Sequence, residues 1–301
     1  MHFVLRTSRT LNLSIQCQLY LFDSMVKPIL MYGCEIWGYV QLKQIENVHI
    51  CFIRKLLPVK KRTPLFMLYG ELGRVPLSVD VKTRMVTFWS KLCTKNSPKL
   101  SSILYSIVYN LHNEGTHGCS WVPCIETILN NIGLRYVWLS QSPISTSWIK
   151  NTAHSILIDN AIQLWSSEVD SSPKGQTYSL MKPQYEFERY LPSLPFNKVI
   201  PLLHFRSSCH HLPVEKGRWN RIPRDERKCK LCCLNDVGDE FHYIFKCIHF
   251  RKERSMYIPS NFVKRPNMLK FRSLFTCKKI PVLRNLSKFC KCIMQTVKTS
   301  S

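Results

Sequence analysis

Residues 229–247 read CKLCCLNDVGDEFHYIFKC, and how they are read decides what the C-terminal third of the chain builds. Cys229 and Cys232 are separated by two residues; nine more lead to His242 and a further four to Cys247. A Cys-x-x-Cys turn sets two thiolates on one side of a tight loop whose amides can point at the sulfurs. Zinc accepts four such N/S donors tetrahedrally at roughly 2.0–2.3 Å. The stretch GDEFHYIFKC predicts a short helix carrying the second pair. A spacing of five does not suit two ligands on a straight helix, so Cys247 is expected at its frayed end. Phe241, Tyr243 and Phe245 would pack the small core that such a module otherwise lacks. Cys233 and His249 compete for the site. Cys233 breaks the two-residue spacing, however, and His249 would form a cramped pair with Cys247. Four protein ligands mark a structural Zn2+ site, because a catalytic one keeps a position open for water. The opposing reading, unliganded cysteines in an ordinary helical domain, accounts less well for a complete set amid charged residues.

The surroundings are strongly basic. The 301 residues carry a formal net charge of +24, and the pI is near 9.7. Residues 195–301 hold 23 Lys/Arg against 7 Asp/Glu, leaving 20 against 12 for everything before them. The excess is therefore concentrated around the cysteine cluster, which points to a polyanionic partner, RNA or DNA. Upstream, KGRWNRIPRDERKCK supplies Lys216, Arg218, Arg221, Arg224, Arg227, Lys228 and Lys230. Downstream, KCIHFRKER supplies Lys246, Arg251, Lys252 and Arg254. These side chains can bond phosphates, while Trp219 or Tyr243 could stack on an unpaired base. Core packing is the competing role for Trp219. Phosphate contacts alone would bind with little sequence preference.

With 45% apolar residues and seven tryptophans the chain can bury real cores. Fourteen cysteines would suit a disulfide scaffold in a short secreted chain. This chain is long, and MHFVLRTSRTLNLSIQCQLYLF shows no clean apolar core or cleavage site. The longest apolar run, PILMYGCEIWGYVQL, is interrupted by Glu35, so no membrane span is expected. An intracellular, reducing setting in nucleus or cytoplasm follows, where clustered cysteines mean zinc more often than disulfides. The sequons at Asn12 and Asn285 are then chance matches. KFCKCIMQTVKTSS, with Cys290 and Cys292 among lysines, is a weak membrane-surface candidate without a lipidation motif. No nucleophile signature favours a cysteine protease.

The pattern predicts a mainly α fold: a helical region over 1–170, a linker over 171–195, a zinc-finger module over 196–260 and basic helices over 261–301. Residues 13–40 predict one long helix or two with a break near Pro28, followed by an amphipathic KQIENVHICFIRKLL. Thr63 is expected to cap a helix with Pro64 at its first position, closed by Gly70 and Gly73. From Leu77, apolar Val81, Met85, Phe88, Trp89 and Leu92 recur at spacings of three and four. Further helices are expected over 100–112, 121–132, 146–168 and 197–210. The linker reading rests on SSPKGQTYS and LPSLP.

FRSSCHHLPVEKGRWNRIPRDERKCKLCCLNDVGDEFHYIFKC resembles the C-terminal zinc-binding segment of non-LTR (LINE/jockey-type) retrotransposon reverse transcriptases. VKPILMYGCEIWGY and TPLFMLYGELGRVPLSVDVKTRMVTFW resemble the region following the polymerase palm in the same elements. The resemblance implies a thumb-like helical region that meets primer and template, then a finger that holds RNA or target DNA. Cys229, Cys232, His242 and Cys247 fall on the family's zinc ligands. Many relatives carry a small residue where Cys34 stands.

A polymerase needs paired carboxylates to hold two metal ions, and this sequence has no Asp-Asp pair and no Tyr/Phe-x-Asp-Asp. Asp80, Asp159 and Asp170 sit within expected helices, where capping or solvated roles suit them. No catalytic residue is therefore expected in the chain. Its expected function is that of a zinc-dependent nucleic-acid-binding fragment lacking the polymerase palm. The alternatives are an accessory part of an RNA-directed DNA polymerase whose catalytic domain lies upstream or acts in trans, or an inert element relic.

Overall fold

A computed structural model describes residues 6, 7, 10–93, 99–115 and 119–300. Residues 1–5, part of the stretch read for a leader, lie outside them. The described residues are mainly helical, with no strand among them and one isolated antiparallel bridge, Lys228 to Val237. Among the described residues no helix is long and apolar enough to cross a membrane. The chain divides into two compact units.

The first unit comprises residues 21–52 and 75–164. Its axis of packing is the Leu77–Leu92 helix, where Val81, Met85 and Trp89 lie completely buried along one stripe, as their spacing predicts. Asp80 in the first turn complements the helix dipole and pairs with Lys27 at 2.7 Å. The Trp89 indole donates to the Tyr105 hydroxyl at 2.8 Å, and Tyr105 donates to Gln141 Oε1 at 2.7 Å. That relay gives each buried polar atom a partner, which such burial requires. The break expected near Pro28 falls instead at Gly33, where φ is +66°. Pro28 sits in the first turn of Lys27–Leu30, where its missing N–H is harmless; Gly33 can take the left-handed conformation. The Cys34–Leu56 helix follows.

The second unit gathers the chain up to Tyr20, residues 53–74 and the chain from Trp165 onward. Leu65–Leu72 is helical, and Gly73, at φ +54°, closes it by donating to the carbonyls of Gly70 and Tyr69. Thr63 does not cap it. Pro64 holds the N-cap position and the Thr63 hydroxyl lies 2.9 Å from Cys209 Sγ. The Ile280–Thr299 helix packs on Phe196–Arg206 through Leu283, Leu286, Phe289, Cys290, Ile293 and Val297, all buried. Each such side chain stabilises by roughly 1.5–3 kcal/mol when fully buried. Arg284, Lys288, Lys291 and Lys298 occupy its exposed face.

The segment expected as a linker, 171–195, is structured. It forms the Gly175–Met181 helix and a Tyr190–Ser193 turn, and buries Tyr178, Met181, Lys182, Tyr190 and Leu191. Its Pro, Ser and Gly shape turns, as at Gly175, where an added Cβ would strike the Val169 carbonyl. Its aromatics supply core, and the Tyr178 hydroxyl donates to the Met67 carbonyl at 3.1 Å.

Candidate metal centre

The Cys-x-x-Cys turn is held by a short hairpin-like pairing. Cys229 N–H donates to the Asp236 carbonyl at 3.0 Å and Gly238 N–H to the Arg227 carbonyl at 2.8 Å. Asn235 supplies the left-handed residue of the loop, at φ +52°. The Leu231 amide points at Cys229 Sγ across 3.4 Å, the amide-to-sulfur contact that such a turn permits.

The second pair comes from His242–Lys246, and here the five-residue spacing finds its physical solution. The segment forms one wide turn of π type in which Cys247 N–H donates to the His242 carbonyl at 2.8 Å. An i→i+5 bond brings residues five apart to the same side, which an α-helix would not do. Cys247 is thus fixed by the turn and is not a frayed helix end. Asp239 caps the turn by accepting the His242 N–H at 2.9 Å, and Arg224 holds Asp239 at 3.0 Å.

The donor atoms of Cys229, Cys232, His242 and Cys247 all lie within 4.8 Å of one another. Cys229 Sγ and Cys247 Sγ are 3.9 Å apart, and Cys232 Sγ and His242 Nε2 are 3.4 Å apart. Tetrahedral ligation at ordinary Zn–S and Zn–N lengths would require edges of roughly 3.8 and 3.5 Å. The other imidazole nitrogen, Nδ1, is buried without a hydrogen bond, its nearest carboxylate being Asp236 Oδ2 at 3.7 Å. Three thiols and one imidazole so spaced could hold a metal ion. Cys233 and His249 are exposed and outside the group, His249 lying edge-on to Phe250 at 4.9 Å.

The electrostatics favour a thiolate at the centre. The Cys247 hydrogen bond pulls Cys229 down to about 3, against burial and assisted by His242 and Tyr243. The same contact with Cys229, together with burial, pushes Cys247 up. Around them, Tyr243 and Phe245 are buried, and Phe241 and Phe245 both meet Phe271, at 5.8 and 6.1 Å. The aromatic trio packs as its sequence suggests, with Phe271 from the Met268–Phe275 helix as an added member.

The cations named from sequence separate into three groups. Arg254 requires correction. It is 6% exposed, and its guanidinium donates to the carbonyls of Ile244 and Cys247 at 2.7 Å and of Tyr243 at 3.4 Å. The Tyr243 and Ile244 carbonyls belong to the wide turn, and that of Cys247, which also accepts the Phe250 N–H at 3.3 Å, follows it, so Arg254 braces this loop and is not available to a phosphate. Replacing Arg254 with Met should cost about 1–3 kcal/mol of stability through the orphaned carbonyls. Unfolding by urea measures that cost; unchanged stability together with lost nucleic-acid binding would reverse the assignment.

Arg218, Arg224, Arg227 and Lys246 already have protein partners: Glu215, Asp239, the carbonyls of Ile222 and Val214, and Asp236. Arg221, Lys230, Arg251 and Lys252 are exposed, Lys216 and Lys228 half-buried, and none has a carboxylate partner among the described residues. Trp219 is 42% exposed and makes the patch more than cationic. Lys60 Nζ lies 4.8 Å from the centre of its ring, and His211 meets the ring edge at 5.6 Å. Burial, with Lys60, Lys216 and Lys298 nearby, pushes His211 down and keeps it neutral. Lys60 belongs to the basic turn 59–62, with Lys61 and Arg62 also exposed. The charge run VKKR at 59–62 was the signal in the sequence for this contribution.

The chain is therefore a mainly helical protein bearing a Cys3His group that could hold a metal ion. No protein-family model, curated protein or solved structure matches it.

Proposed function

We propose that the chain is a zinc-dependent nucleic-acid-binding protein, the C-terminal part of a non-LTR retrotransposon reverse transcriptase without the polymerase palm. The observation that carries the reading is the Cys229–Cys232–His242–Cys247 group, whose donor atoms lie within 4.8 Å of one another and could hold a metal ion, together with Lys216, Lys228 and Lys230, which have no carboxylate partner among the described residues. Zinc, when bound, would fix the loop and turn; with four protein ligands it would supply structure and not catalysis. The lysines bond phosphates, and Trp219 offers an unpaired base a stacking surface beside Lys60. The retrotransposon origin rests on the resemblance of residues 26–39, 63–89 and 205–247 to that family. One observation also favours an accessory role beside a separate catalytic domain. In the first unit Ile29, Tyr32, Leu100, Ile103 and Leu104 are between 47% and 84% exposed, apolar side chains that a partner domain would cover.

Zinc-loaded chain titrated with single-stranded and duplex oligonucleotides provides the test. Between 50 and 200 mM salt the affinity should fall by about 10³-fold or more if some six phosphates are contacted. The Lys228→Glu/Lys230→Glu pair should flatten that slope while zinc content stays at one per chain. Binding that ignores salt, and ignores Cys232→Ser as well, removes the proposal and leaves an inert relic.

A further inference from the structure

A cavity of about 540 Å3 opens below the metal loop, lined by residues that the nucleic-acid reading above does not use as a pocket. Three exposed cations line it from three separate segments: Lys246 at the end of the wide turn, Arg251 from the Arg251–Tyr257 helix, and Lys264 after the Ser260–Val263 turn. A fourth lining cation, Arg254, is buried and already bonded to loop carbonyls. No carboxylate lines the cavity. The nearest acid tied to it, Asp236, pairs with Lys246 at 3.1 Å across two side chains that are each more than 40% exposed, so a competing anion can displace it. The remaining wall is apolar, formed by Ile248, Ile258 and Val263, with the hydroxyls of Ser255 and Ser260 beside it. Ile248 is half-exposed, although nothing in the fold covers it.

A phosphate alone explains the cations but not the apolar wall or the volume, which is in the range of small-molecule sites. A large hydrophobic ligand explains the wall but not three exposed positive charges. A nucleoside phosphate satisfies both: a dianionic group between Lys246, Arg251 and Lys264, and a planar base against Ile248 and Val263. We infer that this cavity is a nucleotide-binding site, filled either by a free nucleotide or by one unstacked nucleotide of a strand. The inference does not need the Trp219 surface and shares none of its residues.

The experiment uses the full zinc-loaded chain, with adenosine monophosphate, inorganic phosphate and a 5′-phosphorylated single-stranded pentanucleotide as probes in equilibrium titration. Val263→Trp fills the cavity and Arg251→Glu reverses its most exposed charge; zinc content serves as the check that both variants fold. Saturable binding of adenosine monophosphate, weakened about tenfold or more by each variant, identifies a free-nucleotide site. Binding of the pentanucleotide alone, weakened by the same variants, identifies a strand site. Lys228→Glu/Lys230→Glu, outside the cavity, separates the two surfaces: it should weaken strand binding in proportion with or without Val263→Trp. Inorganic phosphate that competes as well as adenosine monophosphate, or affinities that neither variant moves, overturns the inference.

Discussion

Excess chelator added to the zinc-loaded chain should strip amide-exchange protection from residues 225 to about 250 and leave it intact around Trp89. The reason lies in what holds the metal loop. Its ordered backbone rests on the two cross-loop bonds that make the Lys228–Val237 bridge, a single wide turn and the Arg254 brace, less than fixing some twenty residues costs in conformational entropy. On the proposed reading metal ligation would supply the difference, since in structural zinc modules about 10–16 kcal/mol of apparent binding free energy is folding free energy. Cys232→Ser should likewise lower zinc content from one per chain to near none. Acid acts in the same direction by a different route. The ligands bind metal as thiolates and neutral imidazole, so protons compete as pH falls and the module is lost on the acid side, not the alkaline. Exchange mass spectrometry at neutral pH, with and without chelator, measures the effect directly. Protection over 225–250 that survives chelation would show the cysteines to be core residues, and the zinc reading would fall with it.

The helical class and the metal donors were legible because both write short-range periodic signals. Val81, Met85 and Trp89 repeat every four residues and lie buried on one stripe. Cys229 and Cys232 are separated by the two residues that a tight turn needs. What stayed hidden was fixed by contacts far apart in sequence. The composition of 171–195 is that of a linker; only Tyr178 meeting Met67, 111 residues away, makes it core. The wide turn at His242–Lys246 has no propensity signature, and it sets two residues five apart on one side. Arg254 belongs to a basic run and looks like its neighbours until the carbonyls of Ile244 and Cys247 are found within 2.7 Å. Charge count predicts an attraction to polyanions, but which cations are free depends on where the few carboxylates fall.

Replacing Glu71 with Leu should destabilise the second unit by about 3–5 kcal/mol, the usual cost of stranding a buried charge. Glu71 and Arg206 are both completely buried. Arg206 Nε donates to the two Glu71 oxygens at 3.0 and 3.1 Å, and the Tyr190 hydroxyl donates to Oε2 at 2.6 Å. Arg206 Nη2 lies 3.0 Å from Glu71 and 2.8 Å from Glu188, within ion-pairing distance though not aligned as a hydrogen bond. Glu188 in turn meets Lys182 at 2.8 Å. Burial raises the Glu71 pKa and Arg206 opposes that rise. Burial also works against the Arg206 charge, yet Glu188 and Glu71 keep its pKa above the usual value. A guanidinium does not shed its proton in a protein, so losing Glu71 leaves a buried cation paired with Glu188 alone, a carboxylate that Lys182 shares. The double variant Glu71→Leu/Arg206→Met removes both charges and should recover most of the loss, because well-packed apolar replacements of buried pairs are often neutral. Urea unfolding of the two single variants and the double closes the cycle, with a coupling expected near 2–3 kcal/mol. Glu188, Lys182 and Tyr190 come from the segment that composition marks as a linker, so the same network dictates that 171–195 cannot be replaced by a flexible spacer. Additive losses, or a Glu71→Leu variant within about 1 kcal/mol of the parent, would mean that the apolar packing around Tyr178 and Phe275 holds this unit together and the charges are incidental.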